Sequence, residues 1–284
     1  MLAFFSQTSA HIRSSYNEGV GKEMHDFHYH HSYEIYLLDK GKRTYLIDDS
    51  LYEINAGDIV LIPPMNLHKT LGKDEYGRYL ITFSDNYLSR YFTKEAKDVL
   101  LSSFGVKCIH LEGNALHSIK HYIEKLTHSY DENDNMSFVY FSNIMAILSQ
   151  SLETSATIHP LTSSTNKTIQ SIIEYIDTNY KSISSIDEIA NQHFITKYHL
   201  CRMFKNAIDV PLVKYINSVK VHKACWLLDN TTKNITEIAF DTGFNSSMYF
   251  CKTFKSLMGM TPTQYKNRSY LTKNTKTQDN TIVM

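Results

Sequence analysis

The chain has 284 residues, of which 42% are hydrophobic and 20% are charged, with 29 basic and 29 acidic side chains. This length suits two domains, and the composition excludes disordered and fibrous proteins. No apolar run approaches the ~20 residues of a membrane helix, and the first ten residues lack a signal-peptide pattern. The four scattered cysteines favour a reducing compartment, so we expect a cytoplasmic protein that binds no membrane.

The charges are unevenly distributed. Residues 167–284 hold 15 Lys and Arg against 9 Asp and Glu, a net charge of +6. Residues 1–166 hold the remaining 14 basic and 20 acidic side chains, a net charge of −6. The C-terminal part can therefore attract a phosphate backbone that the N-terminal part would repel.

Short segments rich in β-branched and aromatic residues predict strands between about residues 28 and 83. They are Glu34–Leu38, Arg43–Ile47, Leu51–Ile54, Ile59–Ile62 and Tyr79–Phe83. Turn-forming residues separate them at Asp39–Gly41, Asp48–Ser50 and Asn55–Asp58. Short strands at this spacing predict a small antiparallel barrel or jelly roll.

Helical spacing begins after the strands. It predicts helices over Tyr87–Phe104, Ala115–Tyr130 and Asn135–Leu152. The third helix carries an apolar stripe that includes Phe141, Ile144 and Leu148. Two roles for this stripe remain open, because it could cover the barrel or form the interface of a homodimer.

A stretch rich in Ser and Thr, from Glu153 to Thr168, has the composition of a linker. We therefore predict a sensor and dimerisation domain over residues 1–152, a linker over 153–167, a helical domain over 168–268 and a tail over 269–284.

The helical domain contains a repeat. Ile186–Ala190 recurs as Ile235–Ala239 after 49 residues, while Phe204-Lys205 recurs as Phe254-Lys255, and Tyr215 as Tyr265, after 50. A short helix, a tight turn and a second amphipathic helix, present twice, predict two helix-turn-helix units. This arrangement predicts double-stranded DNA as the partner.

Local signals place the ends of these helices. Ser185-x-x-Glu188 and Asn234-x-x-Glu237 predict capping boxes for the two short helices. Thr196 and Ser246 are predicted N-caps of the two second helices. Gly243 lies in the second turn, where we expect a positive φ.

Each second helix has a hydrophobic back and a polar front. The predicted backs are Leu200, Met203, Phe204 and Ala207, then Phe250, Phe254 and Leu257. A linking helix is predicted over Leu212–Leu228. Arg202 can donate two hydrogen bonds to a guanine edge, whereas Lys205 and Lys255 suit phosphates.

The motifs from Ile186 to Tyr265 resemble the DNA-binding domain of the AraC/XylS family of bacterial transcription regulators. They include His199-Leu200-x-Arg202-x-Phe204-Lys205, Gly243-Phe244, Tyr249-Phe250-x-Lys252-x-Phe254-Lys255 and Gly259-x-Thr261-Pro262. The resemblance implies that bases are read by Tyr198, Cys201 and Arg202, then by Asn245, Ser247, Met248 and Lys252. Two positions depart from the family pattern: Lys220 replaces its usual arginine, and Asp209 replaces a glycine.

A second motif lies in the predicted barrel. His28-x-His30-x-x-x-Glu34 is followed by Gly57-Asp58 and then by His68, so that Met24–Phe83 resembles the cupin-like sensor barrel of such regulators. Alternation places His28, His30 and Glu34 on one side of the chain. The four residues His28, His30, Glu34 and His68 could bind an organic effector, hold a divalent metal, or form a structural cluster.

The sequence thus predicts an α+β chain with two domains: an N-terminal cupin-like barrel with flanking helices and a C-terminal all-α double helix-turn-helix domain. We expect a transcription regulator controlled by a small-molecule effector, such as a sugar or another metabolite, with no catalytic residues, metal or cofactor. The resemblance implies activation, RNA polymerase as a partner and a homodimer. The alternative is a cupin-type metalloenzyme or metal sensor fused to a DNA-binding domain.

Overall fold

The computed structural model describes residues 11–21, 27–129, 135–152, 156–161 and 164–268. The described residues up to 161 form one compact unit, and those from 164 onward form another. The first ten residues and the predicted tail lie outside the described residues. Within the described part of the chain, no helix is long and apolar enough to cross a bilayer.

The described residues of the first unit form an eight-stranded antiparallel sheet system. Its strands are β1 (Ile12–Val20), β2 (Tyr33–Ile47), β3 (Ser50–Asn55), β4 (Asp58–Ile62), β5 (His68–Leu71), β6 (Glu75–Phe83), β7 (Cys108–His110) and β8 (Ala156–Thr157). Helices α1 (Asp85–Tyr91), α2 (Lys94–Leu101), α3 (Gly113–His128) and α4 (Asn135–Ser151) accompany them. The cupin-like antiparallel fold predicted from the sequence is confirmed, although β1, β5, β7 and β8 were not predicted.

Strand β2 belongs to both layers of this fold. Its first part pairs with β4 and β6, and its second part pairs with β3 and β5. The register against β6 shifts between Leu38 and Lys40, and Gly41 has a φ of 86°. The turn predicted at Asp39–Gly41 is therefore wrong, because these residues form a bulge that bends one continuous strand.

Two hydrophobic cores lie on opposite faces of the strands. In β4, Ile59 and Leu61 join the core beneath the helices, whereas Val60 and Ile62 join the core inside the barrel. A strand covered on both faces has no polar side, which explains its continuous apolar run. Residues of the inner core include Tyr36, Tyr45, Ile47, Tyr52 and Ile54.

The helices differ from the sequence prediction in two respects. The helix predicted over Tyr87–Phe104 is interrupted, since Phe92 and Thr93 are extended and Thr93 caps α2 by accepting a hydrogen bond from the amide of Ala96. The stripe Phe141, Ile144 and Leu148 of α4 is fully buried in the core of its own unit. Their predicted role in a dimer interface is therefore wrong, because none of the three side chains offers surface to a second copy.

The second unit is helical, as predicted. It contains α5 (Ser164–Asn179), α6 (Ile186–Gln192), α7 (Lys197–Ile208), α8 (Leu212–Asn230), α9 (Ile235–Asp241) and α10 (Ser247–Met258), followed by helical residues 262–268. Part of the predicted linker is structured: β8 pairs with β7, and α5 begins at Ser164.

Candidate DNA interface and effector site

The two short helices of the repeat, α6 and α9, are capped differently. Asn234 and Glu237 form a full capping box. The backbone amide of Asn234 donates to the Glu237 carboxylate over 2.8 Å, and the backbone amide of Glu237 donates to Asn234 Oδ1 over 2.9 Å. At α6, the Ser185 hydroxyl accepts from the Glu188 amide, but the Glu188 carboxylate accepts from Ser184 instead. The reciprocal box predicted at Ser185 is therefore wrong, because the preceding serine offers that carboxylate both its amide and its hydroxyl.

The two turns adopt the same backbone geometry with different residues. Gly243 has a φ of 78°, as predicted, and the equivalent Phe194 has a φ of 54°. The amide of Ile195 donates to Ala190, and the amide of Phe244 donates to Ala239, each over 3.0 Å. Both alanines are buried between the helices of their unit. The positive φ is thus a requirement of the turn, and the first unit meets it with a bulky residue.

The second helices, α7 and α10, are the candidate recognition helices. Thr196 and Ser246 cap them, as predicted. Equivalent side chains bury each helix: Leu200, Phe204 and Ile208 in α7, and Phe250, Phe254 and Met258 in α10. The sequence predicted Ala207 and Leu257 as the last buried residues of these helices, but the buried residues are Ile208 and Met258. Met203, which was also predicted to be buried, is only half-buried.

The predicted DNA-contacting side chains lie on the opposite faces. Tyr198 is 88% exposed and Met248 is 81% exposed. Exposed positions are also occupied by Arg202, Lys205, Asn245, Lys252 and Lys255, while Cys201 and Ser247 are half-buried. The structure thus places the predicted residues on one face of each recognition helix, except Asn245, which lies just before the N-cap of α10.

The basic residues of these two faces differ from other lysines nearby. Lys197 pairs with Asp187 over 2.9 Å, Lys223 with Asp177 over 2.8 Å and Lys233 with Asp241 over 2.6 Å. Within the described residues, the side chains of Arg202, Lys205, Lys252 and Lys255 form no hydrogen bond or ion pair. Their charges are therefore available to an external polyanion.

A second site lies in the first unit, where four predicted residues meet. His28 and His68 form a β-bridge through two backbone hydrogen bonds of 3.0 and 3.2 Å, and Glu34 lies near the start of β2. One ligand atom from each of His28, His30, Glu34 and His68 lies within 4.8 Å of the others. The predicted clustering of these side chains is what the structure shows.

Hydrogen bonds fix the orientation of this cluster. Nε2 of His30 lies 3.0 Å from Glu34 Oε2, and the Tyr45 hydroxyl donates to Glu34 Oε1 over 3.2 Å. Nδ1 of His30 contacts the carbonyl of Ser32 over 2.8 Å, and Nδ1 of His68 contacts the carbonyl of Asn66 over 2.9 Å. Tyr45 was not predicted, because it lies an odd number of residues from Glu34, and only the bulge between Leu38 and Lys40 brings both side chains to the same face of β2.

These contacts determine the protonation of the cluster. Burial alone would raise the pKa of Glu34, but the hydrogen bond from His30 and the charges of the histidines bring it well below its usual range. Burial lowers the pKa of His68 to about 4, so this ring is neutral near pH 7. For His30, burial opposes protonation, yet the bond to Glu34 raises its pKa overall. The site is thus a buried carboxylate neutralised by imidazole.

Comparisons with known proteins find matches to both domains. The model of the AraC-like ligand binding domain matches residues 18–92, and that of a helix-turn-helix domain matches residues 189–268. The chain is 22% identical to the uncharacterized HTH-type transcriptional regulator YdeC of Bacillus subtilis (strain 168), over 84% of this chain and 85% of YdeC. It is 24% identical to the lactose operon transcription activator of Staphylococcus xylosus, over 82% of this chain and 83% of that protein.

A shorter relative is more similar in sequence. The chain is 33% identical to the HTH-type transcriptional activator AarP of Providencia stuartii, over 34% of this chain and 73% of AarP. The resemblance found in the sequence motifs is confirmed. This chain belongs to the AraC family of HTH-type transcriptional regulators, and it joins an AraC-like ligand-binding domain to a helix-turn-helix DNA-binding domain.

Proposed function

We propose that this regulator activates transcription at promoters that it reads with α7 and α10, and that it acts in the cytoplasm with RNA polymerase as its partner. The observation that carries the proposal is the pair of capped helix-turn-helix units with unpaired basic side chains on both outward faces. Two of the relatives above are transcription activators by name, which supports activation over repression.

The proposed roles follow from side-chain chemistry. Arg202 reads a base edge, because its guanidinium can donate two parallel hydrogen bonds. Lys205 and Lys255 contact phosphates, and so set the orientation of the two helices on the duplex. The outward residues Tyr198, Cys201, Asn245, Ser247, Met248 and Lys252 complete the proposed interface.

The length of the linking helix α8 supports simultaneous contact of both recognition helices with one DNA duplex. Its 19 residues span about 28 Å at ~1.5 Å per residue. Successive major-groove segments on one side of DNA lie ~34 Å apart. A continuous helix between the two units can therefore hold the recognition helices at a separation that DNA allows.

We propose that a small-molecule effector binds inside the barrel near His28, His30, Glu34 and His68. A polar cluster inside an otherwise apolar barrel is the usual composition of a ligand site. Binding would favour one of two arrangements of the chain and thereby change its affinity for the promoter.

A reporter fused to the promoter of the regulator's own neighbouring genes tests this proposal. Expression should depend on the chain and should be lost in Arg202→Ala. Glu34→Gln should retain DNA binding and lose the response to the inducing condition. Full induction by Glu34→Gln would contradict an effector role for the cluster.

A metal sensor is the second candidate function, favoured by the arrangement of the four ligand atoms. Histidine nitrogen and carboxylate oxygen suit a divalent transition metal such as zinc. Both His30 and His68 direct Nδ1 to a backbone carbonyl, which is how second-shell contacts orient metal-ligating imidazoles. Among the described residues, Nε2 of His68 is buried without a hydrogen-bond partner, as a vacant ligand would be.

Metal analysis of untagged protein separates these candidates. Stoichiometric metal that is lost in His68→Ala and kept in His117→Ala, an exposed histidine of α3, would support the sensor. Metal-free protein with full effector-dependent DNA binding would leave the organic effector as the function of this site.

The homodimer is also proposed, now through other residues of α4. Met136 and Val139 are exposed on this helix, unlike the buried stripe. Sedimentation should show a dimer that Val139→Glu disrupts, and a monomer at every concentration would contradict it.

A further inference from the structure

The barrel holds a buried cation that the sequence analysis did not single out. Arg43 of β2 is 1% exposed and has the largest fully buried side chain of the described residues. Its Nε, Nη1 and Nη2 atoms are all buried and have no hydrogen-bond partner within the described part of the chain. A guanidinium is always charged near neutral pH, so five N–H groups lack an acceptor.

The position of Arg43 is inside the barrel. It alternates with Tyr45 and Ile47, both of which belong to the inner core. The backbone register places Ile47 opposite His68 and Thr44 opposite Leu71. Arg43 therefore lies roughly 13 Å along β2 from the level of His68, at ~3.3 Å per residue, with Tyr45 between them.

Among the described residues, the contacts of Arg43 are with a ring face and a glycine, and neither supplies an acceptor to the edge of its guanidinium. The ring of Tyr76 lies over the planar face, with its centroid 4.1 Å from Cζ. This cation–π contact does not satisfy N–H groups, which point outward in the guanidinium plane. Gly72 packs closely against this side chain, since a Cβ there would overlap Arg43 Nη1 and lie 2.8 Å from Cδ.

No described carboxylate hydrogen-bonds Arg43, and two carboxylates of the strands have other partners. Glu53 pairs with Lys42 over 2.7 Å, and Glu34 is bound by His30 and Tyr45. Arg78 of β6 adds positive charge on the inner side, where its Cζ lies 5.8 Å from the ring centroid of Tyr36. A buried charge without a counterion is strongly unfavourable, and a bound anion removes that penalty.

We propose that the effector of this regulator carries an anionic group, a carboxylate or a phosphate, and that this group binds the guanidinium edge of Arg43. Both anions match the fork of two parallel N–H donors. The proposal rests on the proposed function, because it assigns the chemical class of the effector in the same barrel.

Thermal unfolding of the full chain in different anions tests the proposal. Sodium acetate and sodium phosphate are compared with sodium chloride at the same ionic strength. The wild type should gain about 2–4 °C in Tm, saturably, with acetate or with phosphate. A gain with acetate alone assigns a carboxylate effector, and a gain with phosphate alone assigns a phosphorylated one.

Variants identify the site. Arg43→Met should show no increase in Tm with either anion, and its Tm in chloride should be at or above that of the wild type. Arg43→Lys, which keeps the charge and loses the fork, should lose at least half of the gain. Lys42→Met, at the exposed neighbouring lysine, should keep all of it.

The proposal would be overturned if neither anion raised the Tm of the wild type at concentrations up to 100 mM, or if Arg43→Met kept the increase. It would also be overturned if the Tm of Arg43→Met in chloride were more than about 4 °C below that of the wild type. Promoter binding is measured on the same preparations. Sequence-specific binding without an anion effect rejects the anionic effector alone, whereas no such binding in any buffer rejects the regulator as well.

Discussion

Lys220 donates a hydrogen bond to the carbonyl of Gly243 over 2.7 Å, and a second one to the carbonyl of Ile183 over 3.2 Å. Ile183 precedes the first helix-turn-helix unit, and Gly243 lies in the turn of the second. A buried ammonium in the linking helix thus connects both units. Burial lowers the pKa of Lys220, and the carboxylate of Glu188 offsets part of this effect.

Removing this ammonium should destabilise the DNA-binding domain. Lys220→Met leaves two carbonyls without their donor, and we expect the free energy of unfolding to fall by about 1–3 kcal/mol. Lys223→Met, which removes a surface ion pair of the same helix, should cost less than ~1 kcal/mol. Urea denaturation measures both, and equal losses would contradict the connecting role of Lys220.

Substitutions at Gly243 and at Phe194 should change the stability of the DNA-binding domain in opposite directions. Gly243→Ala adds a Cβ at a positive φ, directly against the backbone of Lys181, and should destabilise the domain by at least ~1 kcal/mol. Phe194→Gly removes a bulky residue from the same backbone conformation and should stabilise by up to ~1 kcal/mol. Thermal denaturation that shows the same sign for both variants would reject the equivalence of the turns.

The N-caps of α6 and α9 should contribute different amounts to the free energy of unfolding. Asn234→Ala breaks a reciprocal capping box and should cost about 1–2 kcal/mol of unfolding free energy. Ser185→Ala removes one weaker acceptor, whose distance is 3.4 Å, and should cost less than half of that. Chemical denaturation of both variants decides this, and a larger loss for Ser185→Ala would be inconsistent with the observed contacts.

Base reading and phosphate binding should separate in DNA-binding measurements. Arg202→Ala should lose about 1–3 kcal/mol of discrimination at one base position. Lys255→Ala should weaken binding to all sequences and reduce the slope of log K against log salt by about 0.9. Lys233→Ala, whose lysine is paired with Asp241, serves as the control. Uniform loss over all sequences for Arg202→Ala would exclude its role in base reading.

Cysteine labelling should report the interface directly. Burial raises the pKa of Cys108, and Cys225 is buried as well, so neither should react with N-ethylmaleimide in the native protein. Cys201 and Cys251, which are half-buried on the recognition helices, should react and be protected by promoter DNA. Unfolded protein, in which all four react, is the control. Protection of neither thiol by DNA would contradict the proposed interface.

Features set by neighbouring residues were predictable from the sequence. Thr196 and Ser246 cap their helices through residues three positions later, so the chemistry is local. The clustering of His28, His30 and Glu34 was predicted from alternation, although residues 29–32 between them are not in a strand. The repeat predicted both helix-turn-helix units, because the same residue pattern occurs in each of them.

Features that depend on distant partners were not predictable. Asp39–Gly41 has the composition of a turn, but pairing with β6 keeps it in a strand. Phe141 lies on an apolar stripe that suits either a dimer or a core, and its packing against the rings of Phe83 and Tyr87 decided the outcome. The isolation of Arg43 from acceptors is a property of the assembled barrel and has no local signature.

Selection of DNA from a random pool by the purified full chain tests the central claim most directly. We expect an enriched motif with two elements about one helical turn apart, as two linked recognition helices require. In Arg202→Ala, information should be lost in one element and kept in the other. Enrichment of no sequence above background, with or without anions that stabilise the protein, would contradict the account.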